Sequence, residues 1–89
     1  MGYYDLDKVE RQKFVLKMEE EITGELKNRK NFSIRHYSSD KDVYIRKNVS
    51  NIMGRLYRDQ GLYKDEIIQV AEEMLKDDDE NVRQTAFYL

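Results

Sequence analysis

Residues 40–52 read DKDVYIRKNVSNI, and residues 77–89 read DDDENVRQTAFYL. When the second stretch is laid on the first with an offset of 37 residues, acids, aliphatic residues and an arginine coincide. The matched pairs are Asp40 with Asp77, Asp42 with Asp79, Ile45 with Val82, Arg46 with Arg83, Val49 with Ala86 and Ile52 with Leu89. A period of this length is typical of helix–turn–helix arrays, so the sequence predicts a helical repeat.

Apolar residues recur at helical spacing before the first copy. Residues 7–27 are predicted to form one helix, because Asp7 and Glu10 have the spacing of a capping box and an apolar stripe follows. The stripe consists of Val9, Phe14, Val15, Met18, Ile22 and Leu26. Residues 28–37 are predicted as a short helix, although Phe32 and Ile34 also alternate as in a strand. Residues 38–42 are predicted to form the turn that follows.

The best-defined helix comes after that turn. Its predicted core face consists of Ile45, Val49, Ile52, Met53 and Leu56. Gly61 is expected to end this helix with a left-handed residue. A further helix over about 64–76 is predicted to direct inward Ile67, Ile68, Ala71, Met74 and Leu75. In the last helix the inward residues are Val82, Ala86 and Leu89.

The repeated stretch resembles the second helix of a HEAT repeat. The family's turn aspartate is matched by Asp40 and Asp77, and its arginine, preceded by an aliphatic residue, by Arg46 and Arg83. The resemblance covers 40–57 and 65–89; the family's frequent first-helix proline is missing, and residues before 40 match poorly. It implies an all-α, HEAT-like α–α superhelix. In that arrangement the aspartates are expected to cap the second helices, and the arginines to reach an acid of the same or the adjacent unit.

This resemblance predicts a single helical-repeat domain over 1–89. Its parts are an N-terminal helix (1–27), a first helical pair (28–57) and a second helical pair (64–89). By the 37-residue offset, the last helix should extend to about position 94, so the final repeat is expected to be incomplete. An uncapped repeat exposes apolar surface, through which copies of the chain would self-associate.

Composition narrows the class of protein. The chain has no Pro and only four Gly, which favours helices over sheets and turns. Without Cys, neither disulfides nor thiolate metal sites are possible. No apolar run is long enough to span a membrane, and the expected location is cytoplasmic.

Charge is distributed in blocks along the chain. Residues 1–26 carry a net charge of −3, residues 27–64 carry +7 and residues 65–89 carry −6, which together make the −2 of the whole chain. Such asymmetry indicates either an anionic partner or an internal match between neighbouring segments.

No constellation of residues for catalysis is present in the sequence. His36 is the only histidine, and no nucleophile motif accompanies it. The acidic run 77–80 lacks the glycine bend of a calcium loop and suits a helix N-terminus. No Gly-rich phosphate loop occurs. The chain is therefore interpreted as a non-enzyme without a cofactor or a metal.

One helix face is a candidate for partner binding. Opposite the core of the best-defined helix lie Tyr44, Lys47, Asn51, Arg55 and Arg58. Second helices line the concave surface of HEAT-like arrays, so the resemblance implies a scaffold that presents this face to a peptide or protein. The alternative is a nucleic-acid-binding module related to HEAT-like DNA alkylation-repair proteins, in which the basic residues contact phosphates. A third interpretation is a solvated helix face without a partner.

Overall fold

The computed structural model describes residues 2–89, and these residues fold into five α-helices. They are α1 (Lys8–Lys27), α2 (Phe32–Ser38), α3 (Val43–Arg55), α4 (Lys64–Leu75) and α5 (Glu80–Phe87). A 3₁₀ turn, Tyr3–Asp5, precedes α1, and a π-helical turn, Leu56–Gln60, extends α3. Residues 2–89 contain no strand, so the all-α prediction is confirmed. None of these helices has the length and hydropathy that crossing a membrane requires.

The start of α1 is set by the expected capping box. The Asp7 carboxylate accepts a hydrogen bond from the Glu10 N–H at 2.8 Å, and the Glu10 carboxylate accepts one from the Asp7 N–H at 3.0 Å. Two of the donors that a helix N-terminus leaves unpaired are thereby satisfied. The predicted span of 7–27 agrees with the observed helix to within a residue.

Helix α2 begins later than predicted and depends on α1 for its cap. Arg29 has a φ of 56°, so residues 28–31 form a turn rather than the start of the helix. The preceding residue, Asn31, provides no side-chain cap. Instead, the Glu25 carboxylate of α1 accepts from the backbone N–H groups of Ser33 and Ile34, at 2.7 and 2.9 Å. The α2 N-terminus is therefore held against the last turns of α1.

A second carboxylate of α1 anchors the other end of α2. The Tyr37 hydroxyl donates to Glu21 at 2.9 Å. Burial, followed by this hydrogen bond and the charges of Glu21 and Glu25, raises the pKa of Tyr37 to about 12. The phenol therefore remains a protonated donor at neutral pH.

The turns before α3 and α5 are built alike, but the predicted caps were wrong. The caps are Asp42 and Asp79, each of which accepts from the backbone N–H two residues further on, at 2.8 Å. Asp40 and Asp77 accept instead from the N–H groups of Asp42 and Asp79, at 2.8 and 2.9 Å. Each turn thus uses two aspartates in succession, and the second one lies at the helix N-terminus, where its side chain can reach the helical N–H.

Arginine closes each turn. The Arg46 guanidinium donates to the carbonyls of Asp40 and Lys41, at 2.6 and 3.0 Å. One period later, Arg83 donates to the carbonyls of Asp77 and Asp78, at 2.7 and 2.9 Å. The resemblance implied that each arginine reaches an acid of the same or the adjacent unit. Among residues 2–89 neither arginine forms an ion pair with a carboxylate, and each instead donates to main-chain carbonyls of its own turn.

The cap of α5 provides a test of this assignment. Replacing Asp79 by Ala is expected to lower the free energy of unfolding by about 1 kcal/mol, because an N-cap acceptor is lost. Asp78→Ala is the matched control, since Asp78 is exposed and contributes only its carbonyl to the turn. Chemical denaturation of both variants measures the difference. Equal effects would mean that Asp79 is not the cap.

All five helices contribute to one core. Its buried members are Met18, Ile22 and Leu26 of α1, Ile34 of α2, Ile45, Val49, Ile52 and Met53 of α3, Leu56 after it, Ile67, Val70 and Met74 of α4, and Val82 and Ala86 of α5. The predicted core face of α3 is thus confirmed. Three predicted inward positions are wrong, because Val9 is 58% exposed and Ile68 and Leu75 are each 44% exposed.

The error in α4 has a physical reason. Two apolar stripes overlap on this helix, one through Ile67, Val70 and Met74 and one through Ile68, Ala71 and Leu75. Spacing alone does not separate them, since both have helical periodicity. The neighbouring helices α1 and α5 cover the first stripe and leave the second at the surface.

The second helical pair, α4 and α5, packs on the first pair, α2 and α3, through polar as well as apolar contacts. The Ser50 hydroxyl of α3 donates to the Thr85 carbonyl of α5 at 3.0 Å. The Thr85 hydroxyl donates to the Asn81 carbonyl of its own helix at 2.8 Å and lies 3.3 Å from the Ser38 carbonyl of α2. Ser38, Ser50 and Thr85 are buried. They fix α5 against both helices of the first pair.

Candidate partner-binding surface

The five residues predicted for partner binding all lie at the surface. Tyr44, Lys47, Asn51 and Arg55 are exposed on α3, and Arg58 is exposed on the π-helical turn that follows it. On the opposite side Leu56 is only 7% exposed, so the helix has the predicted orientation.

An aromatic cluster holds one end of this surface. The Tyr44 ring meets the Tyr4 ring edge-on, with centroids 4.5 Å apart, and the Lys47 ammonium lies 5.6 Å from the Tyr44 centroid. Arg11 lies 5.0 Å from the Tyr4 centroid. Cations at these distances are attracted to the ring faces. Lys47 and Tyr44 therefore present a charge and an apolar ring side by side.

The two arginines at the other end are already engaged within the chain. Arg55 forms an ion pair with Glu19 of α1. The Arg58 guanidinium lies over Gly54, where an added Cβ would meet it at 2.6 Å, and it donates to the Leu89 carbonyl at 3.3 Å. Lys47, in contrast, forms no ion pair anywhere in residues 2–89. Fewer positive charges are therefore free to bind a partner than the three basic residues of this surface would suggest.

A groove between α3 and α5 adjoins this surface. It has a volume of about 240 Å³. Its lining residues are Val43, Arg46, Lys47 and Ser50 on the α3 side and Gln84, Thr85 and Tyr88 on the α5 side. Lys47 belongs to both the groove and the predicted face, so the two form one continuous surface, which we call the α3–α5 surface.

The contribution of α5 was missed by the sequence analysis, which took the face from one helix alone. The signal was nevertheless present. The 37-residue offset places Lys47 on Gln84 and Asn51 on Tyr88. Gln84 and Tyr88 are both exposed, and Tyr88 is 74% exposed. Applying the repeat to the exposed face, as well as to the core face, identifies them.

Part of the charge asymmetry is matched inside the fold. Arg55, from the basic middle of the chain, pairs with Glu19 of the acidic N-terminal block. Arg35, also from the middle, pairs with Asp77 of the acidic C-terminal block, with its Nε 2.7 Å from the carboxylate. Each pair joins two elements that are distant in sequence. Some of the positive charge of residues 27–64 therefore holds elements of the fold together.

The residues that the structure describes contain no cluster of His, Asp and Glu arranged to hold a metal ion. His36, the only histidine, is exposed on α2 and is not among the residues that line the groove between α3 and α5. Comparison of the chain with protein-family models, curated proteins and solved structures finds no match. A functional proposal therefore depends on the geometry of the surface itself.

Proposed function

We propose that this protein is a non-enzymatic, HEAT-like helical-repeat scaffold that binds an acidic peptide segment of a protein partner. The observation that carries the proposal is the groove between α3 and α5, which continues the exposed face of α3. The recurrence of the turn hydrogen bonds at an offset of 37 residues supports the repeat architecture.

The side chains of the α3–α5 surface suit a peptide. Tyr44 and Tyr88 offer large rings with few rotatable bonds, which bind at low entropic cost. The amides of Asn51 and Gln84 each provide donors and an acceptor, as a peptide backbone requires. Lys47 supplies a cation without an ion-pair partner in residues 2–89, which favours a carboxylate in the bound segment.

Nucleic acid is the less favoured ligand for this surface. Binding to a phosphate backbone gains affinity from each Lys or Arg that releases counterions. Arg55 is paired with Glu19 and Arg58 donates to the Leu89 carbonyl, so Lys47 is the one of these three cations without a hydrogen bond or an ion pair among residues 2–89. The acidic blocks on either side would also repel the backbone.

Peptide selection tests the proposal. Random peptides displayed against the full chain are expected to yield binders rich in Asp and Glu. Lys47→Glu should weaken these binders by about tenfold, which corresponds to roughly 1.4 kcal/mol. Lys13→Glu is the matched control, because Lys13 is exposed on α1 outside the surface. Binders that are insensitive to both Lys47→Glu and Tyr88→Ser would contradict the proposal.

Titration of labelled DNA at two salt concentrations examines the rival ligand. Wild type is expected to bind no more tightly than the non-specific range of roughly 10⁻⁴–10⁻⁶ M at physiological salt. Submicromolar binding that falls steeply with salt, and that is lost when Lys47, Arg55 and Arg58 are all replaced by Ala, would replace the peptide proposal with a nucleic-acid one.

A further inference from the structure

The aromatic cluster beside the α3–α5 surface continues from α3 onto the N-terminal 3₁₀ turn. Tyr4 of that turn is 60% exposed and meets Tyr44, 44% exposed, with the two ring planes at 89°. A cation lies over each ring, Arg11 of α1 over Tyr4 and Lys47 over Tyr44. Two exposed rings thus lie between two cations. We call these four residues the aromatic row.

The N-terminal turn is held in place by three contacts. The Tyr3 N–H donates to the Asp42 carboxylate, and the Tyr3 ring packs edge-on against Phe14 of α1 with centroids 6.2 Å apart. After the turn, the Leu6 carbonyl accepts from the Arg11 guanidinium at 2.7 Å. The turn therefore has a fixed position relative to α3 before a ligand arrives, and a preorganised site binds at a lower entropic cost.

The charged groups around the row are not equally free to meet a ligand. The neighbouring segments, 2–11 and 40–47, contain five acids, and each accepts a hydrogen bond from a backbone N–H of the chain. These acids are Asp5, Asp7, Glu10, Asp40 and Asp42. The bases of the same segments are Lys8, Arg11, Lys41, Arg46 and Lys47, and none of them forms an ion pair among residues 2–89. An anionic ligand therefore meets cations that lack a carboxylate partner.

The dimensions of the row suit an extended peptide. The Lys47 ammonium lies 5.6 Å from the Tyr44 centroid, the two ring centroids are 4.5 Å apart, and the Arg11 guanidinium lies 5.0 Å from the Tyr4 centroid. In an extended chain, side chains on one face are two residues apart, and positions i and i+4 are separated by about 13 Å. This span is within the reach of the three separations taken end to end. Acids at i and i+4 can contact the two cations while the side chain at i+2 lies on the rings.

We propose that the peptide bound at the α3–α5 surface continues across the aromatic row in extended form, with the pattern acid–x–apolar–x–acid. Lys47 and Arg11 hold the two acids, and Tyr4 and Tyr44 hold an aromatic or large aliphatic side chain between them. This inference rests on the proposed function and names the ligand of the same site more closely. It makes the N-terminal turn a part of the binding site.

Synthetic peptides test this pattern. The reference peptide contains Glu-Ser-Phe-Ser-Glu flanked by Gly and Ser, and it is titrated into isotope-labelled full-length protein while chemical shifts are recorded. In matched peptides either Glu is replaced by Gln, Phe is replaced by Ser, or the second Glu is moved by one place, which turns it to the other face. We expect the reference peptide to shift residues of the aromatic row and to bind about three- to tenfold tighter than each matched peptide.

Variants of the two cations show which acid each one holds. Arg11→Gln should remove the preference for one Glu of the peptide, and Lys47→Gln should remove the preference for the other. A double-mutant cycle between each variant and each single-Gln peptide measures this coupling. If Arg11→Gln merely disturbed the N-terminal turn, it would weaken every peptide alike.

Variants of Tyr4 test the contribution of the turn. Tyr4→Ala should weaken the reference peptide by about threefold, because the Phe side chain loses a ring contact. Tyr4→Phe should restore the affinity lost in Tyr4→Ala, because the ring contact does not need the hydroxyl. Phe32→Ala is the matched control, since Phe32 is 81% exposed on α2 and lies outside the row.

The results distinguish this inference from the function on which it rests. Suppose that Lys47→Gln weakens the peptides but Arg11→Gln and Tyr4→Ala do not, or that moving the second Glu has no effect. The extension across the row is then overturned, and the peptide site at the α3–α5 surface is retained. If no acidic peptide binds, or if binding is insensitive to Lys47→Gln, both proposals fail.

Discussion

Replacing Leu56 by Ala is expected to lower the free energy of unfolding by about 2–5 kcal/mol. The same replacement at Leu75 is expected to lower it by about 0.5 kcal/mol or less. Leu56 is 7% exposed and belongs to the core, so its truncation removes buried area and leaves a cavity. Leu75 is 44% exposed and lines an open surface groove with Ile68 and Ala71, so its truncation leaves no enclosed space.

Urea denaturation of both variants, followed by far-UV circular dichroism, measures this contrast. The two changes delete the same atoms from the same residue type, so residue chemistry cancels in the comparison. Similar losses at both positions would mean that the second apolar stripe of α4 is covered in solution, contrary to the fold described here.

Replacing Asp42 by Ala is expected to cost about 2 kcal/mol at neutral pH, because two backbone N–H groups lose their acceptor. The Asp42 carboxylate caps α3 by accepting from Tyr44, and it also accepts from the Tyr3 N–H of the 3₁₀ turn. The hydrogen bond from the Tyr3 N–H is the main cause that lowers the pKa of Asp42. The N–H groups of Tyr44 and Ile45 and the charge of Arg46 lower this pKa further, whereas partial burial of the carboxylate raises it.

The same contacts predict how stability depends on pH. The pKa of Asp77 is lowered as well, first by the Asp79 N–H and then by Arg35. Because both pKa values lie lower in the folded chain than in the unfolded one, the two carboxylates stabilise the fold above about pH 4. This contribution is lost as the pH falls through the folded values.

Asp42→Asn isolates this effect, since it keeps an acceptor at the cap but removes the titration. Its stability should lie below that of wild type by about 1 kcal/mol at neutral pH and should converge with wild type in acid. Asp59→Asn is the control, because Asp59 is exposed and its side chain makes no hydrogen bond within the described residues. A constant gap between Asp42→Asn and wild type across the acid range would refute the assigned role of Asp42.

The helical elements were predictable from sequence wherever local chemistry decides them. The capping box at Asp7, the left-handed Gly61 and the core stripe of α3 are each determined by residues close in the chain. The start of α2 was not predictable, because its N-terminus is capped by Glu25, a contact that only the packing of α2 on α1 creates. The exposed positions of α4, Ile68 and Leu75, were also mispredicted, because only the packing of α1 and α5 decides which of its two apolar stripes is buried.

The candidate site was predictable only in part. Helical spacing along α3 was sufficient to place Lys47 and Asn51 at the surface. It did not show that Arg55 would be paired with Glu19, since that partner lies on a helix distant in sequence. Nor did it show that α5 would supply the second wall of the groove through Gln84 and Tyr88.

Because Glu25 of α1 caps the N-terminus of α2, the two helices are expected to form in a definite order. A helix of seven residues is too short to persist in water on its own, and the N-cap residue of α2, Asn31, makes no side-chain capping hydrogen bond. Its first turn is completed only when the last turns of α1 are already wound and bring Glu25 to the Ser33 and Ile34 N–H groups. We therefore expect α2 to form only after the end of α1 has formed, and to lose its structure when α1 does.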